Sequence, residues 1–318
     1  MDGSDAVASL LSAPVLAFVL GVVAVAVRSD LRVPDAVTQV LSIYLLLAIG
    51  IKGGVALADT PPANLAVPLA LALGFGLVTP VLAYAALRVL TPLGRVDRGS
   101  VAAHYGSTSL VTFTAALVAL DASSIAVPGY GATVLTVLEI PGILIGLLLA
   151  GRHTARHAGW GATVHEIVTG KSILLLVGGL IIGAIIGEPG YAGVEPFFSD
   201  PFRGALTLFL LALGIDAAQR FGALRTGAVG LITFAILFPL VVGSAAVTIA
   251  TLAGLDQGGA AILGVLCASA SYIAAPAAVR MSLPEANLAY PLAASLGVTF
   301  PVNLTIGIPL FIWLSGAL

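Results

Sequence analysis

Two runs of small and hydroxylated residues interrupt strongly apolar sequence: "HYGSTS", His104–Ser109, and "CASASY", Cys267–Tyr272. If helices break at these runs, backbone N–H and C=O groups lose their helical partners. Inside a membrane that is tolerated only where the groups line a site or touch protein. The half-helix after each break starts with free N–H groups and about half a positive charge. Two such ends meeting near the midplane would carry about one positive charge together, which suits a small monovalent anion without a buried arginine. The residues expected to hold the anion are Gly106, Ser107, Thr108 and Ser109 from the first run and Ala270, Ser271 and Tyr272 from the second. The alternative is that these Ser and Thr residues serve helix packing or back-bonding alone. For two runs at equivalent positions the binding reading is favoured.

Other polar residues stand at membrane depth. Glu139, in "LTVLEIPG", is the single acid deep in an apolar run, and an unpaired carboxylate there must face protein, water or an ion. Pro141 beside it is expected to free carbonyl groups, suiting a hard cation that takes oxygen ligands. The competing reading of Glu139 is a structural, hydrogen-bonded acid. Asn303 and Thr305, in "FPVNLTIG", are neutral and could ligate an ion or bond helix to helix. His104 is either a proton relay or anion ligand, or a neutral histidine holding the break, the last being favoured. Tyr105 and Tyr272 either cover the site or pack beside it. Lys52 and Asp216 occupy matching places in "LLLAIGIK" and "FLLALGID" and are read as anchoring or gating residues.

The elements that must position these groups follow from composition. Charged residues make up 9% and apolar residues 59% of 318, whereas a soluble domain carries about 25% charge. The chain therefore reads as an all-α polytopic membrane protein. Spans of about 20 residues are expected near 9–27, 37–57, 65–87, 99–120, 125–150, 172–187, 202–219, 227–253, 258–279 and 289–316. The opening "MDGSDAVASLLSAP" lacks a basic n-region, so the first run is expected to stay as a helix. All thirteen basic residues except Lys52 and Arg203 fall on one side of these spans, which is read as cytoplasmic. Both termini are then extracytoplasmic. The segment 152–171 is an internal cytoplasmic linker between a first unit, 1–151, and a second, 172–318.

Five spans on each side of the linker give the halves opposite orientation. An offset of 164 carries Leu45–Lys52 onto Phe209–Asp216, and Gly106–Ser109 onto Ala270–Ile273. The expected architecture is a five-plus-five inverted repeat whose two broken helices mark a transporter's binding site. No CxxC, Walker or HExxH pattern occurs, Cys267 is the single cysteine, and no basic run suits nucleic acid. An enzyme is not expected.

The segments "HYGSTSLVTF", "LEIPG", "DPFRGALTLFLLALGIDAA" and "ASASYIAAPAAVR" resemble the sodium-dependent bicarbonate transporter family known from cyanobacterial carbon-concentrating systems. The resemblance runs from about Pro14 to Phe311. It implies a homotrimer of ten-helix protomers, each with a gate part and a mobile core in which two discontinuous helices cross. It further implies symport of bicarbonate with sodium by an elevator-like movement. Sodium is the one ion implied, with Ser107, Thr108, Ser271, Glu139, Asn303 and Thr305 as its candidate ligands. Cyanobacterial members typically have a longer cytoplasmic loop between the halves and bind a PII-like regulator on that side; the short segment 152–171 argues against that partner here. The readings kept beside this one are a carrier of another small anion, a cation or proton exchanger of similar architecture, and a membrane-embedded enzyme, sensor or channel.

Overall fold

The structure, a computed structural model, describes residues 12–151, 160–221 and 228–318. Among these residues every regular element is helical and no strand occurs. In chain order the helices are α1 (Ala13–Ala26), α2 (Asp35–Ala58), α3 (Ala66–Leu90), α4 (Arg95–Gly106), α5 (Leu110–Ala122), α6 (Gly131–Ala150) and α7 (Trp160–Thr169). They continue with α8 (Lys171–Tyr191), α9 (Glu195–Phe198), α10 (Phe202–Phe221), α11 (Ala228–Leu252), α12 (Gln257–Cys267), α13 (Ala274–Ser282) and α14 (Ala289–Ala317).

Each of the ten expected ranges falls on one or two of these helices. Among the described residues, eight segments are long and apolar enough to cross a membrane: α2, α3, α4 with α5, α6, α8, α9 with α10, α11 and α14. Helices α1 and α12 are apolar but shorter. Residues 9–11 of the first range lie outside the described residues, as do Arg152, Arg156 and Arg225 of the orientation argument. Within 152–171, expected as a linker, residues 160–169 form α7. Its Thr163 and Ile167, four apart and so on one face, are buried, and Thr163 Oγ1 meets Ser282 Oγ of α13 at 2.9 Å.

Two helix groups emerge from the packing. The most extensive contacts join α2 to α8 and α1 to α10. Both pairs press glycine against backbone: a Cβ on Gly21 would meet the Leu211 carbonyl, and one on Gly54 the Leu180 carbonyl. The second group is built on α4 and α3 against α6, and on α12 against α11 and α14. Its α4–α5 segment is 89% buried over its most apolar window, against 28% for α8. Polar residues in a membrane protein belong in such an enclosed interior, and that is where both hydroxyl-rich runs sit.

Candidate functional site

Helix α4 ends at Gly106, Ser107 is extended (φ −99°, ψ 164°), and α5 restarts at Leu110 with Ser109 as its N-cap. The local reason is chemical. Ser109 Oγ accepts from the Thr112 N–H at 3.2 Å, so the side chain replaces a carbonyl as partner for the first turn. The second interruption follows the same logic. Helix α12 stops at Cys267, α13 restarts at Ala274, and Ser271 Oγ accepts from the Ala275 N–H at 3.2 Å.

The two interruptions touch each other. The Ser271 N–H donates to the His104 carbonyl at 2.8 Å, and the Ser109 N–H donates to Ser269 Oγ at 2.9 Å. Ser269 Oγ in turn donates to the Leu266 carbonyl at 2.8 Å. Ser269 is thus the bridge between the halves, a role that sequence reasoning missed: Ser269 stood out there only as a member of "CASASY". Removing its hydroxyl leaves the Ser109 N–H buried without a partner, which costs about 1–3 kcal/mol. Ser269→Ala should therefore melt several degrees below the wild type in thermal unfolding of the detergent-solubilised protein; an unchanged transition would deny the bridge its weight.

Helix α14 braces both interruptions. It contains two π segments, Ala293–Thr299 and Asn303–Gly307, of a kind often found at functional sites. Thr299 Oγ1 donates to the Ala235 carbonyl at 2.7 Å, so the Tyr105 hydroxyl, 2.6 Å away, donates to Thr299. Tyr105 is thereby fixed as packing next to the first interruption, edge-on to Phe234 with centroids 4.8 Å apart. At the second interruption, Asn303 Nδ2 donates to the Ala268 carbonyl at 2.8 Å, and Tyr272 lies edge-on to Phe300 at 5.9 Å. Thr305 is not part of this group. It is exposed, and its hydroxyl donates to the Pro301 carbonyl at 2.8 Å.

Helix α6 forms the remaining wall. Gly142 and Gly146 lie against the backbone of Gly106 and Ala103, and the Leu135 carbonyl meets Thr108 Oγ1 at 3.5 Å. Residues 135, 139, 142 and 146 share one helical face, so Glu139 is held between these contacts, beside the first interruption. The helix runs unbroken through Pro141. The expected break there does not occur; the proline only withholds one N–H, and its ring packs toward Gly76 of α3.

Several buried polar atoms here have no partner among the described residues: Ser107 Oγ, Glu139 Oε2, Asn303 Oδ1 and His104 Nε2. Native interiors leave few such atoms unmatched, because each costs desolvation energy. His104 Nδ1 faces the Ser100 carbonyl at 2.8 Å, so that nitrogen carries the proton and Nε2 is a bare acceptor. The oxygens are of the type a small hard cation takes. The N–H inventory differs from the expected one. Those of Ser109 and Ser271 are engaged across the interruptions, and those of Thr112 and Ala275 are capped. Among the described residues, the N–H groups of Leu110 and Val111 on α5 and of Ala274 on α13 have no partner at the helix starts; Pro276 has none to give.

Among the described residues no group of three or more His, Cys, Asp or Glu could hold a metal ion, and Cys267 is a free, buried thiol. No curated protein matches the chain. The model of one family does, over residues 13–316, which is nearly the whole sequence and includes both interruptions, α6 and α14. The protein is accordingly a transporter and not an enzyme, and the chain belongs to the Na+-dependent bicarbonate transporter superfamily.

Proposed function

We propose that this chain imports bicarbonate together with sodium across the cytoplasmic membrane, holding the anion where the starts of α5 and α13 meet. The observation that carries the reading is the pair of hydrogen bonds, Ser271 N–H to His104 and Ser109 N–H to Ser269, that joins the two interruptions. They tie together the segments that lead into two positive helix ends, each worth about half a charge. The anion takes the open N–H groups of Leu110, Val111 and Ala274, beside Gly106–Ser109 and Ala270–Tyr272. Sodium lies next to it, on Ser107, Glu139 and Asn303, with Thr108 and Ser271 as further ligands; Thr305 drops out of the set. Opposite charges held together in a poorly screened site attract far more strongly than in water, which couples the two.

The ten helices act in this reading as a five-plus-five inverted repeat with both termini extracytoplasmic. The contact pattern supports it: exchanging the halves turns the α1–α10 pair into the α8–α2 pair, and these are the two most extensive pairings. Helices α1, α2, α8 and α10 form the static gate, and the other group carries the cargo past it as an elevator. The protomers associate as a homotrimer.

Labelled bicarbonate uptake into proteoliposomes tests the proposal. An inward sodium gradient should drive accumulation, and replacing sodium by potassium should abolish it. Equal uptake in both salts would reject the coupling.

A further inference from the structure

A cavity of about 450 Å³ lies between the two helix groups. One wall is a face of α2 carrying Ile49, Lys52 and Ala56, joined by Arg203 at the start of α10. The other is a face of α5, on which Phe113, Leu117 and Asp121 follow at four-residue intervals. Among the described residues, Lys52, Arg203 and Asp121 are the charged ones that line it. Arg203 and Asp121 form an ion pair that crosses between the groups. Their charges cancel, and Lys52, which makes no ion pair among the described residues, leaves the cavity with one net positive charge. Lys52 and Arg203 are also the two basic residues outside the cytoplasmic set. The innermost lining residue of α5, Phe113, is three residues past Leu110, about 4.5 Å along the helix axis.

We propose that this cavity is the extracytoplasmic antechamber in which the anion collects before reaching the helix interruptions, and that the Lys52 ammonium is the charge that gathers it. The inference rests on the transport reading above. A charge in a cleft with apolar walls focuses its field and raises the local concentration of counter-ions by tenfold or more. Phe113 lines this space within about one turn of the α5 start, so the anion gathered by Lys52 collects next to the helix end that receives it. The Arg203–Asp121 pair ties the gate group to the cargo group across the same space. A lysine that merely anchors a helix end at the membrane surface would influence stability or insertion and leave substrate concentration dependence untouched.

The test uses the full-length protein in proteoliposomes at fixed sodium and pH. Lys52→Glu should raise the apparent KM for bicarbonate at least about tenfold at low ionic strength, with Vmax within about twofold of the wild type. Lys52→Gln should fall between, and Lys52→Arg should match the wild type. The differences should shrink as choline chloride is added, because exposed charges are screened. For Lys52→Cys, external aminoethyl methanethiosulfonate restores a positive side chain and should restore KM, whereas the sulfonatoethyl reagent should not; the wild type, with its buried Cys267, serves as control. Wild-type uptake with an unchanged KM in Lys52→Glu overturns the antechamber and leaves the transport reading standing. Absence of sodium-driven uptake by the wild type overturns both. A KM shift insensitive to ionic strength and to reagent charge assigns Lys52 a steric role and rejects the proposal.

Discussion

Ser107→Ala and Glu139→Gln should unfold in sodium-free buffer at temperatures no lower than the wild type, while losing at least about tenfold in sodium affinity, or 1.4 kcal/mol. The reason is the unmatched state of the atoms removed. Ser107 Oγ and Glu139 Oε2 are buried and bond nothing among the described residues. Deleting the first removes a desolvated hydroxyl, and replacing the second removes a carboxyl whose burial at membrane depth is costly. Groups kept at a cost to the fold are the signature of a functional site. A bound ion stabilises the folded state by an amount that grows with concentration over Kd, about 2.7 kcal/mol at a hundredfold excess. Sodium titration should therefore raise the melting temperature of the wild type and do so much less in either variant. A variant that melts lower without sodium yet keeps the full sodium response would make its residue structural and remove it from the ion site.

Gly142→Ala should be the most damaging methyl addition in the molecule's second helix group. A Cβ there would coincide with the Gly106 carbonyl of α4, in contact too close for any rearranged side chain to relieve, since both partners are backbone. Helices α4 and α6 must separate to admit it, and separation also displaces Ala103 from Gly146 and opens the first interruption. Overpacking costs about 1–3 kcal/mol where side chains can yield; here the loss should reach the upper end or prevent recovery of monodisperse protein. Gly74→Ala on α3 is the matched control. Nothing lies within 4 Å of a Cβ at that position, and replacing a helical glycine by alanine favours the helix by about 0.5–1 kcal/mol. Size-exclusion profiles and melting temperatures of the two variants decide the matter. Equal behaviour would mean that α4 and α6 do not pack as tightly as the glycine contacts indicate.

How far the sequence reaches can be read from single residues. Apolar run length and the shortage of charge dictate an all-helical membrane chain, because only closed backbone hydrogen bonding survives in lipid. The runs "HYGSTS" and "CASASY" mark where helices stop, since Ser109 and Ser271 carry side-chain oxygens able to cap the next first turn. Their partnership with each other is not in the sequence: Ser109 and Ser269 are 160 residues apart, and only the packed fold makes one hydroxyl serve the other's N–H. Asn303 and Thr305 look alike as a polar pair, yet residues two apart on a helix point in nearly opposite directions. Only the packing of α14 decides that Asn303 turns inward and Thr305 outward. Pro141 reads as a helix breaker, but α3 packed at Gly76 and α4 packed at Gly106 hold α6 continuous, and the local preference loses. Lys52 and Arg203 are legible as two basic residues on the wrong side of a charge rule. That they face one cavity with Asp121 is a property of helices α2, α5 and α10 meeting in space, which local chemistry along the chain does not encode.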